Sequence, residues 1–118
     1  MKYMLLIHDD ATLSPEDRTP GGKMDQEYGA FTQEIIASKE IVGGDRLHGV
    51  ETATTVRVRN GKAAFTDGPF VETREHLGGY YIVDVANLDR ALELAAKIPS
   101  ARTGAVEVRP IHEMAVPA

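Results

Sequence analysis

Cysteine is missing from this sequence altogether. Disulfides, thiolate nucleophiles and thiolate zinc sites are thereby excluded. Positive charge is also scarce: 13 Lys and Arg stand against 18 Asp and Glu, a formal net charge of −5. Nucleic acid and anionic membranes reward basic surfaces, so neither is the expected partner. Arg57, Arg59 and Lys62 do gather, but no aromatic residue interleaves them, which marks a solvated strand face. Long apolar runs are lacking too. The N-terminal run from Tyr3 to Ile7 is too short for a secretion signal or a membrane span, so a cytoplasmic location is expected.

Several motifs are absent. The histidines His8, His48, His76 and His112 show no HxH or HExxH spacing, so no metal is expected. Gly21-Gly22, Gly43-Gly44 and Gly78-Gly79 lack the spacing and the following helix of a phosphate loop, and no cofactor is expected. Ser14, Ser38 and Ser100 fall in helix-start, helix-surface and helix-end contexts rather than in a nucleophile constellation.

What remains is an ordinary globular composition, 42% hydrophobic and 26% charged over 118 residues. That length suits one domain, residues 1–118, able to bury a core without staples. Residues 2–8 read as a strand with both faces apolar, Met4 and Leu6 on one and Tyr3, Leu5 and Ile7 on the other. Such a strand sits centrally in a sheet. Ser14-Pro15 gives a helix-start signal soon broken by Pro20 and two glycines. Met24, Tyr28, Phe31 and Ile35 then form one stripe of a helix over about 23–39, with Tyr28 its only member carrying a polar tip.

Ile41 and Val42 begin a short strand. Asn60-Gly61 predicts a tight hairpin in which Arg59 opposes Lys62, Val58 opposes Ala63, Arg57 opposes Ala64 and Val56 opposes Phe65. Val56, Val58, Ala63 and Phe65 then share one face. Gly79 to Val85 is again apolar on both faces. Asn87 caps a second helix facing inward with Leu88, Ala91, Leu92 and Ala95, Pro99 stops it, and 105–111 is the last strand. The tail from His112 onward reads as loosely ordered.

The order strand, helix, strand, hairpin, strand, helix, strand is an α+β, ferredoxin-like split β-α-β plan with the hairpin inserted as an extension. Two helices cover one face of such a sheet. The two-sided apolar strands require a cover for the other face, and a second copy of the chain, sheet against sheet, is the simplest one. A cleft between helices, sheets and loops would then suit a small molecule.

MKYMLLIH, YGAFTQEI, TATTVRVRNGK, TDGPFVETREHLGGYYIVDV and GAVEVRPI together resemble the YCII-related proteins, in the DGPF-domain branch. The likeness runs over nearly the whole chain, and the DGPF-to-GGYY segment is its most specific part. It implies a bacterial homodimer of the dimeric α+β barrel type, from a family with few assigned activities. Some relatives are associated with extracytoplasmic-function sigma factors. A few are enzymes acting on small ring compounds, or carry a proposed His–Asp dyad. The dyad's histidine belongs on the first long helix, and residues 23–39 hold none, so the dyad does not carry over. Asp67, Gly68, Pro69, Phe70, Glu72, Thr73, Leu77, Gly78, Gly79 and Tyr80 do match the pattern.

The loop DGPFVETREH admits two readings. Charged loops are usually solvated, and Asp-Gly-Pro is ordinary turn chemistry, so the segment serves as a structural or dimer contact in one of them. In the other, Phe70 and Val71 tuck into the core and hold the polar groups beside the cleft. His76 then moves a proton, oriented by Asp67, Glu72 or Glu75. Arg74 or Arg109 holds a carboxylate or an enolate. On this reading His76, Asp67 and Glu72 are the acid–base candidates, and Tyr28, Thr73, Arg74, Tyr80 and Arg109 are the ligand contacts. Two functions follow: a small-molecule-binding homodimer with weak acid–base activity on a small organic substrate in the inter-subunit cleft, or a non-catalytic regulatory or interaction protein linked to a sigma factor.

Overall fold

The computed structural model describes residues 1–10, 20–71 and 73–114. The Ser14-Pro15 helix start, the candidate Glu72 and the end of the tail (115–118) lie outside the described residues. In chain order the elements are β1 (Lys2–Asp10), α1 (Lys23–Ala37), β2 (Ile41–Arg46), β3 (Thr54–Arg59), β4 (Lys62–Asp67), β5 (Glu75–Asp84), α2 (Leu88–Lys97) and β6 (Ala105–Pro110).

Four of the strands form an antiparallel sheet in the order β2-β5-β1-β6, the ferredoxin-like arrangement. The two strands read as apolar on both faces are its central pair. Tyr3, Leu5 and Ile7 of β1 and Val83 of β5, with Val85 just beyond it, face the helices and are buried with Phe31 and Ile35 of α1. Leu5, Ile35, Val83, Leu94 and Ile98 have no exposed surface. Burying each such side chain contributes about 1.5–3 kcal/mol against its conformational cost.

Helix α2 starts where expected: the Asn87 side chain accepts a hydrogen bond from the Arg90 backbone N–H at 3.0 Å. Its inward face differs from the expected one. Ala91, Leu94 and Ala95 are buried, whereas Leu88 and Leu92 are exposed. The stripe that meets the sheet runs 91, 94, 95 and on to Ile98, with spacings of three, one and three. Leu92 stands one residue, about 100°, round the helix from Ala91.

The opposite sheet face carries Met4 and Leu6 of β1 and Ile82 of β5, all partly exposed, and no described element covers them.

The hairpin register is the expected one at every named pair. Asn60 and Gly61 both take positive φ, 53° and 75°, as a type I′ turn requires. The hairpin does not extend the main sheet, however. It forms a separate two-stranded sheet, clasped at its base by the Gly68 N–H donating to the Ala53 carbonyl at 2.8 Å and by the Thr55 hydroxyl donating to the Gly68 carbonyl at 2.9 Å. Every β4 side chain is exposed, and so are all of β3 but Thr55. The radius of gyration, 16.4 Å, exceeds the roughly 13–14 Å of a compact chain this long.

Phe70 and Val71 do not tuck into the core. Both are exposed, Phe70 at 72%. The Phe70 ring lies under the Arg57 guanidinium, 5.3 Å from its centroid, so a contact with the hairpin's basic face replaces burial.

Candidate functional site

A cleft of about 620 Å³ opens between α1, β2 and the beginning of β5, and the elements of a single chain form it. Its inner wall begins with β1. Alternation along Tyr3, Leu5, Ile7 and Asp9 puts Asp9 on the helix-facing side, one residue pair beyond the last apolar position. On β5 the pairing with β1 shifts register between Ile7 and His8, leaving Gly78 as the extra residue. Before the shift Ile7 pairs with Gly79; after it His8 pairs with Leu77 and Asp9 with His76. The bulge therefore moves His76 to the strand position directly opposite Asp9, where cross-strand side chains share a face about 5 Å apart. Both residues line the cleft.

Gly78 is needed for this geometry. A Cβ there would stand 2.5 Å from Asp9 Oδ2, so any side chain at the bulge would displace the carboxylate.

The other oxygen of Asp9 is committed. Ser100, fully buried in the 3₁₀ turn Pro99–Ala101 that follows α2, donates its hydroxyl to Asp9 Oδ1 at 2.5 Å. Tyr28 of α1 is bonded to the same Ser100 oxygen at 2.5 Å. A serine hydroxyl has one proton, which Ser100 gives to Asp9, so Tyr28 donates to Ser100. The chain Tyr28–Ser100–Asp9 thus joins α1, the turn after α2 and β1. Burial pushes the Tyr28 phenol up to about 12; the Ser100 bond opposes that shift and the Asp9 charge adds to it. At neutral pH Tyr28 keeps its proton and holds the chain in one direction.

Above this floor Thr32 and Tyr81 share a hydrogen bond at 2.8 Å, and the Tyr81 ring packs edge-on to Phe31. Arg46 at the end of β2 reaches Asp25 of α1 at 3.0 Å. The Asp25 carboxyl is lowered, first by the Gly21 backbone N–H and then by Arg46. Ile7, Met24, Ile41, Leu47 and Val50 supply the apolar part of the wall, with His48 on the rim loop.

The expected site residues among the described ones fall in three places. Tyr28, Tyr80 and His76 line the cleft. Tyr80 donates to Asp45 Oδ2 at 2.5 Å, and that bond raises its phenol. Thr73 and Arg74 line, with His76, a smaller hollow next to it, and the Thr73 hydroxyl bonds the Glu75 carbonyl. The others are elsewhere. Asp67 ends β4, exposed and paired with Thr54, and is not among the residues lining the cleft. Arg109 is an exposed β6 residue paired with Met4, and its guanidinium lies 4.0 Å from Glu107. His8 lies 3.7 Å from Glu107. Among the described residues, no three His, Asp or Glu side chains gather as a metal site.

Asp9, Ser100 and Thr32 escaped the sequence reading. For Asp9 the signal was present: the alternation of residues 3, 5 and 7 continues to 9, and Gly78-Gly79 opposite it is a bulge signature. For Ser100 there was none, since only tertiary packing brings it to Tyr28.

The family model for the YCII-related domain matches residues 1–115. An uncharacterised protein of Rhizobium meliloti is 32% identical over 114 residues, a match covering 94% of this chain and 92% of that protein.

Proposed function

The chain belongs to the YCII-related family, and we propose that it is a small-molecule-binding homodimer that carries out general acid–base chemistry on an organic ligand held in the cleft. One observation carries the reading: the partly buried Tyr28–Ser100–Asp9 chain ends at the strand position opposite His76 on the cleft wall. A directionally fixed hydrogen-bond chain anchored on a buried serine holds its terminal carboxylate in one orientation. His76 stands across from that carboxylate and is the residue type suited to accept and return a proton near neutral pH. On this reading the β1–β5 ladder, rather than α1, brings the histidine and the carboxylate opposite each other. The homodimer rests on the half-open face of Met4, Leu6 and Ile82, which a second sheet would cover.

The test has two steps. A thermal-shift screen of small organic compounds should give ligands that raise the melting temperature of the wild type by several degrees and of Ser100→Ala by much less. Compounds that stabilise both equally bind elsewhere and overturn the cleft. Bound ligands are then followed by NMR in D2O for hydrogen exchange at carbon. His76→Gln should slow exchange by about 10²–10⁴-fold with binding kept; unchanged exchange removes His76 from the chemistry. Native mass spectrometry decides the dimer, and a monomer at micromolar concentration overturns it.

A second reading, a non-catalytic interaction protein, draws on the exposed hairpin residues Val56, Val58 and Phe65. A sigma factor is the partner class that the family likeness suggests. Phe65→Glu should abolish capture of such a partner while leaving ligand binding unaltered.

A further inference from the structure

The chemical class of the ligand is legible from where the cleft's protons and charges already are, an inference that rests on the cleft being a ligand site. Hydroxyl direction comes first. Ser100 has given its only proton to Asp9, and Tyr28 has given its own to Ser100. What these two groups leave for a ligand is lone pairs, on the Tyr28 oxygen and on Asp9 Oδ2. The Thr32–Tyr81 pair spends one of its two hydroxyl protons on its own bond and leaves one to donate. The floor of the cleft is therefore mainly an acceptor surface, and a ligand must bring donors to it.

Charge points the same way. Asp9, Asp25, Asp45 and Glu51 line the cleft, and among the described residues Arg46 is the only Lys or Arg lining it. Arg46 is engaged with Asp25 at 3.0 Å. A ligand carboxylate or phosphate placed on the floor would face Asp9, and among the described lining residues only the engaged Arg46 and the imidazoles of His48 and His76 could receive it. Arg46 offsets the charge of Asp25, so a cation there gains chiefly from Asp9, Asp45 and Glu51, and a concave wall focuses their field. The remaining surface is apolar and aromatic, with Ile7, Met24 and Ile41 beside the Tyr28 and Tyr81 rings. Aromatic faces attract ammonium groups and repel anions.

We infer that the cleft selects a protonated amine on a compact apolar body, its N–H donors directed to Asp9 Oδ2 and the Tyr28 oxygen. The enolate or carboxylate ligand that Arg74 or Arg109 would suit is not the one this floor accepts.

The test uses matched ligands on the intact protein. Benzyl, cyclohexyl and n-butyl bodies are each compared as the methyl-linked amine, alcohol and carboxylate by titration calorimetry at pH 7 and low salt. The amine should bind about tenfold or more tightly than the carboxylate of the same body. That preference should shrink in 0.5 M salt, where the Debye length falls to roughly 4 Å. Asp9→Asn should reduce it several-fold, and the salt series decides independently should that variant not fold. Carboxylates binding as tightly as amines overturn the inference and leave the cleft a ligand site; so do alcohols binding as tightly as amines with no salt dependence. If none of the nine compounds binds, the inference and the cleft reading fall together.

Discussion

The helix-covered face of the sheet and the β3–β4 hairpin obey the same alternation of apolar and polar residues, yet they end in opposite environments. On the sheet, alternation is enforced by burial: Leu5 and Val83 have no exposed surface, and a one-residue slip would turn them to the other side. On the hairpin, Val56, Val58, Ala63 and Phe65 line up equally well, but Phe65 is 71% exposed. Its register comes from the Asn60-Gly61 turn, whose two positive φ values fix which residues face each other. The difference separates two sources of order. Local turn chemistry is enough to set a hairpin's pairing, while only tertiary contact says what its apolar face is for.

The largest effect should come from comparing one buried and one exposed apolar residue. Leu94→Ala removes a side chain with no exposed surface and should cost about 2–5 kcal/mol in urea unfolding. Phe65→Ala, a larger truncation, should stay within about 0.5 kcal/mol for the single chain. If Phe65→Ala proves as costly as Leu94→Ala, the hairpin face is covered in solution, and the contrast between the two regions belongs to the isolated chain alone.

A smaller effect sits wholly within the body. Arg90 on α2 grips Glu40, just before β2, through Nε and Nη2 on one edge of its guanidinium at 2.9 and 2.7 Å. Those hydrogen bonds lower the Glu40 carboxyl from 4.5 to about 2. A carboxyl depressed on folding stabilises in full above its unfolded value, and the stabilisation fades as pH falls from about 4.5 toward 2. Glu40→Gln should therefore cost about 1 kcal/mol at pH 7 and progressively less below pH 4.5. A cost that stays constant down to pH 2 would show that the pair is not what links α2 to β2. No comparable pH-dependent pair is expected on the hairpin, where the charged Arg57 meets a ring instead.

The same division explains what the sequence disclosed. Apolar alternation gave the central strands, the α1 stripe gave Phe31 and Ile35, and Asn60-Gly61 gave the hairpin to the residue. His76 and Tyr28 were visible as polar groups near the sheet, but their companions were not. Asp67 lies close to His76 in sequence but ends the hairpin; the residue paired with His76 is Asp9, brought there by a bulge at Gly78. Ser100 joins Tyr28 across 72 residues, a pairing no local pattern encodes. The α2 error was similar in kind. Leu88 and Leu92 fit a helical stripe, but the sheet receives the face through Ala91, Leu94 and Ala95, and only packing chooses between two stripes one residue apart.

The smallest effect on global stability, and the sharpest on the contrast, should come from the turn itself. Gly61 takes φ 75°, and a β-branched side chain there should cost the turn about 1–2 kcal/mol. A two-stranded hairpin on its own is marginal, so Gly61→Val should open β3 and β4 without unfolding the body. The urea midpoint should barely move. Amide exchange should accelerate at the ladder residues Arg57, Arg59 and Ala64 and remain slow at Leu5 and Val83. If exchange at Leu5 accelerates in step with that at Arg57, hairpin and body form one cooperative unit. The exposed apolar face would then contribute to the stability of the whole chain through contacts it makes in the assembly, and the hairpin would be the place to look for the second copy's footprint.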